Sequence, residues 1–218
     1  MTARLVVLAS GNGTNLQAII DACENIQLDA KVVGVVSDKH EAFALNRAQC
    51  HTVETAVVAV KPHETRQQYD ARLAQIVSAW QPHIVVLAGF MRVLSNSFLS
   101  QFTNQVINIH PALPGELPGT HAIERAFTEF TNGSRHGTGV MVHFVPDEGV
   151  DNGPVIAQQI VPIHVADTLS SLEARVHATE HALVIDALQQ LITQTQKDLF
   201  CPSFVVLRTP IIVVIVAL

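Results

Sequence analysis

Short apolar runs alternate with amphipathic stretches along most of the chain. Apolar runs bounded by turn residues are typical of strands buried on both faces of a sheet. We predict such strands at 5–9, 30–36, within 51–60, and at 84–88, 106–109, 139–145 and 155–161. Between them apolar residues recur at helical spacing, as at Tyr69, Leu73 and Ile76. The predicted helices are 15–23, 41–49, 65–80, 121–130 and 168–194.

This alternation predicts an α/β protein with a doubly wound, mainly parallel, Rossmann-like sheet that carries helices on both faces. Ligands of such sheets bind beyond the carboxyl ends of the strands, near the point where the strand order reverses. Four polar loops follow predicted strand ends, at 10–15, 89–92, 110–119 and 146–153. We therefore expect these four loops to form one composite site.

The sequence contains no repeat, no Pro- or Ser-rich linker and no low-complexity tract. We therefore expect residues 1–200 to form a single domain. The final segment, 204–218, is strongly apolar, but it is too short for a transmembrane helix and is interrupted by Arg208 and Pro210. We treat residues 201–218 as an apolar C-terminal tail of unknown role.

Charge and cysteine content narrow the possible functions. The 218-residue chain has a formal net charge of −6 and no run of Lys or Arg, which argues against binding to nucleic acid. Its three cysteines, Cys23, Cys50 and Cys201, are far apart, which argues against a disulfide framework or a zinc site. The first apolar run leads directly into a glycine turn, so it predicts a core strand and not a signal peptide. We expect a cytoplasmic protein that does not bind membranes.

The sequence SGNGTN at 10–15 lies between the first predicted strand and the first predicted helix. Glycines there let backbone N–H groups approach a ligand, and the start of the helix adds free donors and a positive dipole end. Such a loop suits a phosphate, although an ordinary tight turn before a capped helix has the same features. Leu16 occupies the place of the third glycine of a dinucleotide fingerprint. This disfavours a nicotinamide oxidoreductase.

Asn108 and His110 leave a predicted strand two positions apart, so they face the same side of the chain. An amide donor and an imidazole that converge on one point polarise a carbonyl group and stabilise an oxyanion. A histidine also transfers protons near neutral pH. The alternative is a histidine that is hydrogen-bonded within the core.

The segment PDEGVDNGP at 146–154 is an acidic, glycine-containing loop. We expect one of its carboxylates to orient His110 and to favour the imidazolium form. The alternatives are a solvated turn and a divalent-cation site, but the spacing of Asp147, Glu148 and Asp151 does not match an EF-hand. We predict no metal, and no metal-binding spacing links the other histidines near the site, which are His121, His136 and His143.

Five segments, in matching order, resemble the glycinamide ribonucleotide formyltransferases within the wider formyltetrahydrofolate-using transferases. They are SGNGTNLQAII at the start, VVLAGFMRVLS at 85–95, INIHPAL at 107–113, TGVMVHFVPDEGVDNGPVIAQ at 138–158 and ARVHATEHA at 174–182. The resemblance implies transfer of a formyl group from 10-formyltetrahydrofolate to the amine of glycinamide ribonucleotide in purine synthesis. It also implies small-molecule substrates, no metal, and a monomer or homodimer.

The resemblance assigns roles to individual residues. The catalytic set would be Asn108, His110 and Asp151, in which Asp151 raises the pKa of His110 and Asn108 donates to the oxyanion. The residues that would bind the ribonucleotide are Gly13, Thr14, Asn15, His177, Ala178, Thr179 and Glu180. The residues that would bind the folate are Arg66, Met91, Arg92, Val93, Leu94, Asn108, Pro146, Asp147, Glu148, Gly149, Val150 and Asp151.

Three alternatives remain open at this stage. A formyltetrahydrofolate hydrolase would carry an extra N-terminal domain, and a methionyl-tRNA formyltransferase would carry an extra C-terminal domain, and we expect neither here. A non-catalytic protein that binds a phosphate ligand would leave Asn108, His110 and Asp151 without a shared task. The sequence ALPGELPG at 112–119 also departs from the usual family pattern, which puts the shape of this loop in question.

Overall fold

The structure of the protein is a computed structural model that describes residues 2–200, with side chains described for residues 2–194. The strands are β1 (Ala3–Leu8), β2 (Ala30–Ser37), β3 (Thr55–Val57), β4 (Ile84–Leu87), β5 (Val106–His110), β6 (Gly137–Phe144) and β7 (Val155–Pro162). The helices are α1 (Thr14–Glu24), α2 (Phe43–Cys50), α3 (Arg66–Ala79), α4 (Asn96–Leu99), α5 (Ala122–Thr131) and α6 (Leu169–Phe200). Every predicted strand and helix is present. The helix α4 was not predicted, because four residues are too few to show a helical period.

The strands form one sheet in the order β3-β2-β1-β4-β5-β6-β7. The first five strands in this order are parallel to one another, whereas β6 is antiparallel to both of its neighbours. The predicted doubly wound, mainly parallel sheet is therefore confirmed. The chain moves outward from β1 to β3 and then returns to β4 on the other side of β1. This reversal is the switch point at which such folds bind ligands.

Helices cover both faces of the sheet, as predicted. One face packs against α1, α2, α5 and α6, through buried residues such as Leu16 and Leu188. The other face packs against α3 and α4, through residues such as Leu73 and Phe98. Burial on both faces explains why β1 and β4 are continuous apolar runs in the sequence.

One expectation about the loops was wrong. Because β6 is antiparallel to β5, Phe144 lies opposite Ile107 and Met141 lies opposite His110. The loop after β6 therefore starts beside the first residues of β5 and not beside the carboxyl ends of the parallel strands. It reaches the site by folding back towards Asn108. The sequence was misleading because α5 lies between β5 and β6, as the crossover helix of a parallel pair would.

The predicted tail at 201–218 lies outside the described residues, so the domain boundary at residue 200 stays a prediction. In the described part of the chain, no helix has both the length and the apolar character needed to cross a membrane. Cys23 and Cys50 are free thiols, and Cys201 lies beyond the described range.

Candidate active site

A cavity of about 600 Å³ opens at the switch point of the sheet. Its wall comes from the loops after β1 and β4, the end of β5, the start of α5, the loop between β6 and β7, and α6. A volume of this size matches pockets that hold small organic ligands. The four polar loops that the sequence singled out all contribute to this one cavity.

The glycine loop in this cavity is fixed by its backbone conformation. Gly13, which precedes α1, has a φ of 77°, a left-handed conformation that glycine adopts without strain. A Cβ atom here would lie 2.7 Å from the Cβ of Ala44. Thr14 and Asn15 follow in the first turn of α1, where N–H groups have no intrahelical acceptor. The loop therefore offers free donors at a positive helix end, which suits a phosphate.

Contacts from two neighbouring segments hold the glycine loop in place. The backbone N–H of Met91 donates to the Oγ of Ser10 at 2.9 Å, which joins the loop after β1 to the loop after β4. Arg47 of α2 donates to the carbonyl oxygen of Asn12 at 2.9 Å and to its Oδ1 at 2.8 Å. Arg47 supports the loop from outside the cavity, and the sequence analysis missed it.

His177 and Glu180 line the cavity from α6. Glu180 is only 5% exposed, and its Oε2 lies 2.6 Å from Nδ1 of His177. The hydrogen bond with Glu180 raises the pKa of His177 and so favours a cationic ring beside the carboxylate. The helical spacing of three residues brings the pair together. Ala178 and Thr179, which lie between them in sequence, do not line the cavity.

The residues predicted as a catalytic set come together in the cavity. Asp151 accepts a hydrogen bond from Nδ2 of Asn108 through Oδ1, at 2.9 Å. Its Oδ2 lies 3.3 Å from Nδ1 of His110 and accepts a hydrogen bond from the N–H of Gly119 at 2.8 Å. The other ring nitrogen of His110, Nε2, lies 3.0 Å from the carbonyl oxygen of Leu117. The unusual loop at 112–119 therefore contacts both His110 and Asp151.

Two strained backbone positions shape this part of the site. The φ angles of Asp151 and Leu117 are 52° and 45°. Aspartate tolerates the left-handed region, whereas leucine there costs roughly 1–2 kcal/mol. Arg125 of α5 donates from Nη2 to the carbonyl oxygens of Leu117 and Pro118, both at 2.7 Å. Arg125 thus holds the loop that supplies the acceptor for His110.

Burial and ion pairing shift the pKa of His110 in opposite directions. Burial lowers the pKa of His110 below its ordinary value, and the carboxylate of Asp151 offsets only part of this effect. The contribution of Asp151 is upward, but desolvation is larger, so the net shift of the His110 pKa is downward. Burial also works against ionisation of Asp151, yet its polar neighbours, among them the Gly119 N–H and His110, together lower the pKa of that carboxyl. Asp151 is therefore charged at neutral pH, and His110 is mostly neutral in the free site.

The amide of Asn108 is fully engaged in the free protein. One N–H of Nδ2 is directed at Asp151, and Nδ2 also lies 3.2 Å from Nε2 of His143. Donation to an oxyanion, the role that the resemblance implies, therefore requires that one of these contacts is exchanged when ligand binds. His143 was not assigned a role from the sequence. It lies opposite Asn108 across two strands, a relation that spacing along the chain does not reveal.

Another part of the cavity wall is apolar and open to solvent. Met91, Val93 and Val150 line it and remain 59%, 42% and 44% exposed. Exposed apolar side chains around a cleft are typical of a surface that binds an apolar part of a ligand. The guanidinium carbon of Arg92 lies 4.4 Å from the ring centroid of Tyr69, a cation–π contact that holds this cation in place.

Comparison with known proteins identifies the family. A family model described as formyl transferase matches residues 3–188. This chain belongs to the formyl transferase family. A phosphoribosylglycinamide formyltransferase of Dictyostelium discoideum is 42% identical over 207 residues, which cover 89% of this chain and 100% of that protein.

Two further comparisons agree with this family. The trifunctional purine biosynthetic protein adenosine-3 of Drosophila melanogaster is 39% identical over 194 residues, covering 88% of this chain and 14% of that protein. The crystal structure of phosphoribosylglycinamide formyltransferase from Bacillus halodurans has a TM-score of 0.82 and 35% identity, and covers 88% of this chain and 96% of that chain. The resemblance found in the sequence is therefore confirmed.

Some residues expected to bind substrates in this formyltransferase do not line the cavity. They are Arg66, Pro146, Glu148, Ala178 and Thr179. Arg66 and Glu148 form an ion pair with each other, and Oε1 of Glu148 accepts a hydrogen bond from the N–H of Asn96 at 3.0 Å. In the free protein these contacts tie the loop that carries Asp151 to α3 and α4. Within the described residues, no group of three or more His, Cys, Asp and Glu side chains could hold a metal ion.

Proposed function

We propose that this formyltransferase transfers the formyl group of 10-formyltetrahydrofolate to the amine of 5'-phosphoribosylglycinamide, giving the N-formyl product and tetrahydrofolate in purine biosynthesis. The observation that carries the proposal is the contact network of Asn108, His110 and Asp151 in a cavity that also contains a phosphate-type loop. The names of the relatives support the reaction, and the purine biosynthetic relative supports the pathway.

We place the two substrates on different parts of the cavity wall. The phosphate of the ribonucleotide would bind the N–H groups of Thr14 and Asn15, in the cavity that His177 also lines, and the raised pKa of His177 supports this placement. The carboxylate of Glu180 is then available to accept hydrogen bonds from sugar hydroxyl groups. We place the folate ring on the apolar part of the wall formed by Met91, Val93 and Val150, and its anionic tail near Arg92.

The reaction follows from the position of the polar network. The amine nitrogen attacks the formyl carbon, a new C–N bond forms, and the electron pair of the C=O bond moves to oxygen. Asn108 and His110 stabilise the resulting oxyanion, which is the kind of stabilisation whose loss costs about 10²–10³ in rate. The amine loses a proton, N10 of the folate gains one, and the bond between N10 and the formyl carbon breaks.

His110 is suited to both the proton transfer and the stabilisation. Because burial lowers its pKa, the free ring accepts a proton from the amine at neutral pH. Its two nitrogens face the carboxylate of Asp151 and the carbonyl oxygen of Leu117 in the free protein, so both N–H groups of the imidazolium have acceptors there. To reach the amine or the oxyanion, Nε2 must therefore exchange its contact with Leu117 when the substrates bind.

The direct test is the absorbance change on mixing the protein with 10-formyltetrahydrofolate or its dideaza analogue, with and without the ribonucleotide. We expect deformylated folate only when the ribonucleotide is present, and a loss of this signal in His110→Ala. Release without the ribonucleotide would indicate a hydrolase. The absence of release in either case would contradict the transferase and favour a binding protein.

Two further parts of the proposal concern the cellular compartment and the oligomeric state of the enzyme. The free thiols of Cys23 and Cys50 agree with a reducing compartment, so we place the enzyme in the cytoplasm. We expect it to act as a monomer or homodimer, which sedimentation of the purified protein would determine.

A further inference from the structure

The buried imidazole of His143 has no part in the mechanism described above. The register of β5 and β6 places His143 directly opposite Asn108. The residue is 2% exposed and still contributes to the cavity wall. A buried polar ring in contact with a residue of the catalytic set calls for a physical explanation.

The contacts of His143 define one protonation state. Nδ1 lies 2.8 Å from the carbonyl oxygen of Phe144, which only accepts, so Nδ1 carries a hydrogen. Nε2 lies 3.2 Å from Nδ2 of Asn108, which only donates, so Nε2 carries a lone pair. Nε2 is 3.6 Å from Oδ1 of Asp151, which is beyond hydrogen-bond distance. The neutral ring with its hydrogen on Nδ1 satisfies the contacts with Phe144 and Asn108.

This state of His143 determines the orientation of the Asn108 amide. Nδ2 has two hydrogens, and its two acceptors are Oδ1 of Asp151 at 2.9 Å and Nε2 of His143. A rotation of the amide by a half-turn would place its oxygen against a carboxylate oxygen and a ring lone pair, which are two repulsive contacts. Asp151 and His143 therefore fix the amide from two sides.

We propose that His143 is a positioning residue for formyl transfer, which accepts a hydrogen bond from Asn108 and holds this amide in the orientation that the reaction uses. The inference rests on the proposed function. The contact with His143 at 3.2 Å is one of the two that direct the hydrogens of Nδ2 in this amide. A shift of about 1 Å in a group of this kind costs on the order of 10²-fold in rate.

Three variants distinguish a positioning role of His143 from a role in packing alone. His143→Leu removes the acceptor, whereas His143→Gln provides an amide oxygen near the position of Nε2. Met141→Leu is the matched control, because Met141 is buried on the same face of β6 and has no polar contact with the network. We expect His143→Leu to lower kcat by on the order of 10²-fold and to change KM for both substrates by less than roughly threefold.

The kcat values of the Gln variant and of the Met141→Leu control provide the independent checks. We expect His143→Gln to recover at least roughly a tenth of the wild-type kcat, and Met141→Leu to match the wild type. Folded Leu and Gln variants that both keep full kcat, or that lose it equally, would overturn the proposal. If His143→Leu does not fold, the Gln variant alone tests the proposal. A loss of kcat on the order of 10²-fold in His143→Gln would then overturn the proposal.

Nitrogen NMR of the ligand-free protein tests the geometry without reference to catalysis. The signals of His143 are those that are absent from the spectrum of His143→Gln. We expect these signals to show a protonated Nδ1 and an unprotonated Nε2 at neutral pH. The opposite tautomer or a doubly protonated ring would overturn the proposal even in an active transferase. The expected tautomer in a protein without transferase activity would instead contradict only the proposed function.

Discussion

At the scale of single residues, the site depends on charges whose protonation is determined by their immediate neighbours. His110 is buried and Asp151 is partly buried, and each shifts the pKa of the other. His177 and Glu180 form a second such pair on α6. Because the first pair acts in the chemical step of the proposed reaction and the second in binding the ribonucleotide, changes at each should affect different kinetic constants.

Asp151→Asn tests the first pair. The variant keeps the left-handed backbone, because asparagine tolerates φ near 52° as aspartate does. Loss of the carboxylate removes the one contribution from a charged group that raises the pKa of His110, so the pKa should fall further. We expect kcat to drop by about 10²–10⁴ and the part of the pH–rate profile governed by His110 to move to lower pH. Profiles measured in parallel for the wild type and for Asp186→Asn, an exposed carboxylate of α6 that does not line the cavity, should coincide. An Asp151→Asn profile that superimposes on the wild type would contradict the coupling.

His177→Gln tests the second pair. Glu180 raises the pKa of His177, so the ring is cationic below this raised pKa and loses its charge as the pH rises through it. A phosphate monoester is already dianionic above about pH 7, so the loss of the cation weakens binding in that range. We expect KM for the ribonucleotide to rise with pH in the wild type and to be high and nearly constant in His177→Gln, as steady-state kinetics across the range would show. KM for the folate should not change with this substitution, and an unchanged pH dependence of the ribonucleotide KM would exclude the role.

At the scale of secondary-structure elements, the junction of β1 and α1 depends on one glycine. Gly13→Ala would combine a left-handed backbone with a Cβ only 2.7 Å from that of Ala44. The conformational cost is roughly 1–2 kcal/mol, and overpacking adds typically 1–3 kcal/mol. We expect the free energy of unfolding to fall by about 2–5 kcal/mol and the ribonucleotide KM to rise, as measured by denaturant unfolding and kinetics.

A second glycine provides the control for this substitution. Gly133 has a φ of 76°, and a Cβ there would meet nothing within 4 Å. Gly133→Ala should therefore show the conformational cost without the clash. Equal losses of stability in the two variants would mean that contact with α2 does not restrict the glycine loop.

The elements of this fold were accessible from the sequence because most of them are long and periodic or continuously apolar. The parallel strands β1 and β4 appear as unbroken aliphatic runs, since helices cover both of their faces. The direction of β6 was not accessible, because no local pattern records which neighbour a strand pairs with. The residues of the candidate site also divide into those that local sequence patterns reveal and those that they do not. Asn108 and His110 were found from their spacing along one strand, whereas His143 and Arg125 reach the site across strands and loops.

At the scale of the whole molecule, the cavity joins two parts of the sheet that are built differently. The glycine loop and the loop after β4 belong to the parallel part, and Asp151 is carried by the loop between the antiparallel strands β6 and β7. A ligand that contacts both parts stabilises the folded chain by mass action, by about 2.7 kcal/mol at a concentration 100 times its Kd. For a domain of this size, such a gain raises Tm by roughly 5–10 °C.

The ligand-induced change in Tm therefore tests how the site is distributed over the fold. We expect the ribonucleotide and the dideaza folate analogue each to raise Tm in thermal unfolding followed by circular dichroism, and their combination to raise it further. Ribosylglycinamide without its phosphate is the matched control, and at equal concentration it should give only a small shift, because it lacks the group that the start of α1 would bind. Equal shifts with and without the phosphate would show that the glycine loop is only a tight turn. The phosphate would then have to be held elsewhere, away from the positive end of α1.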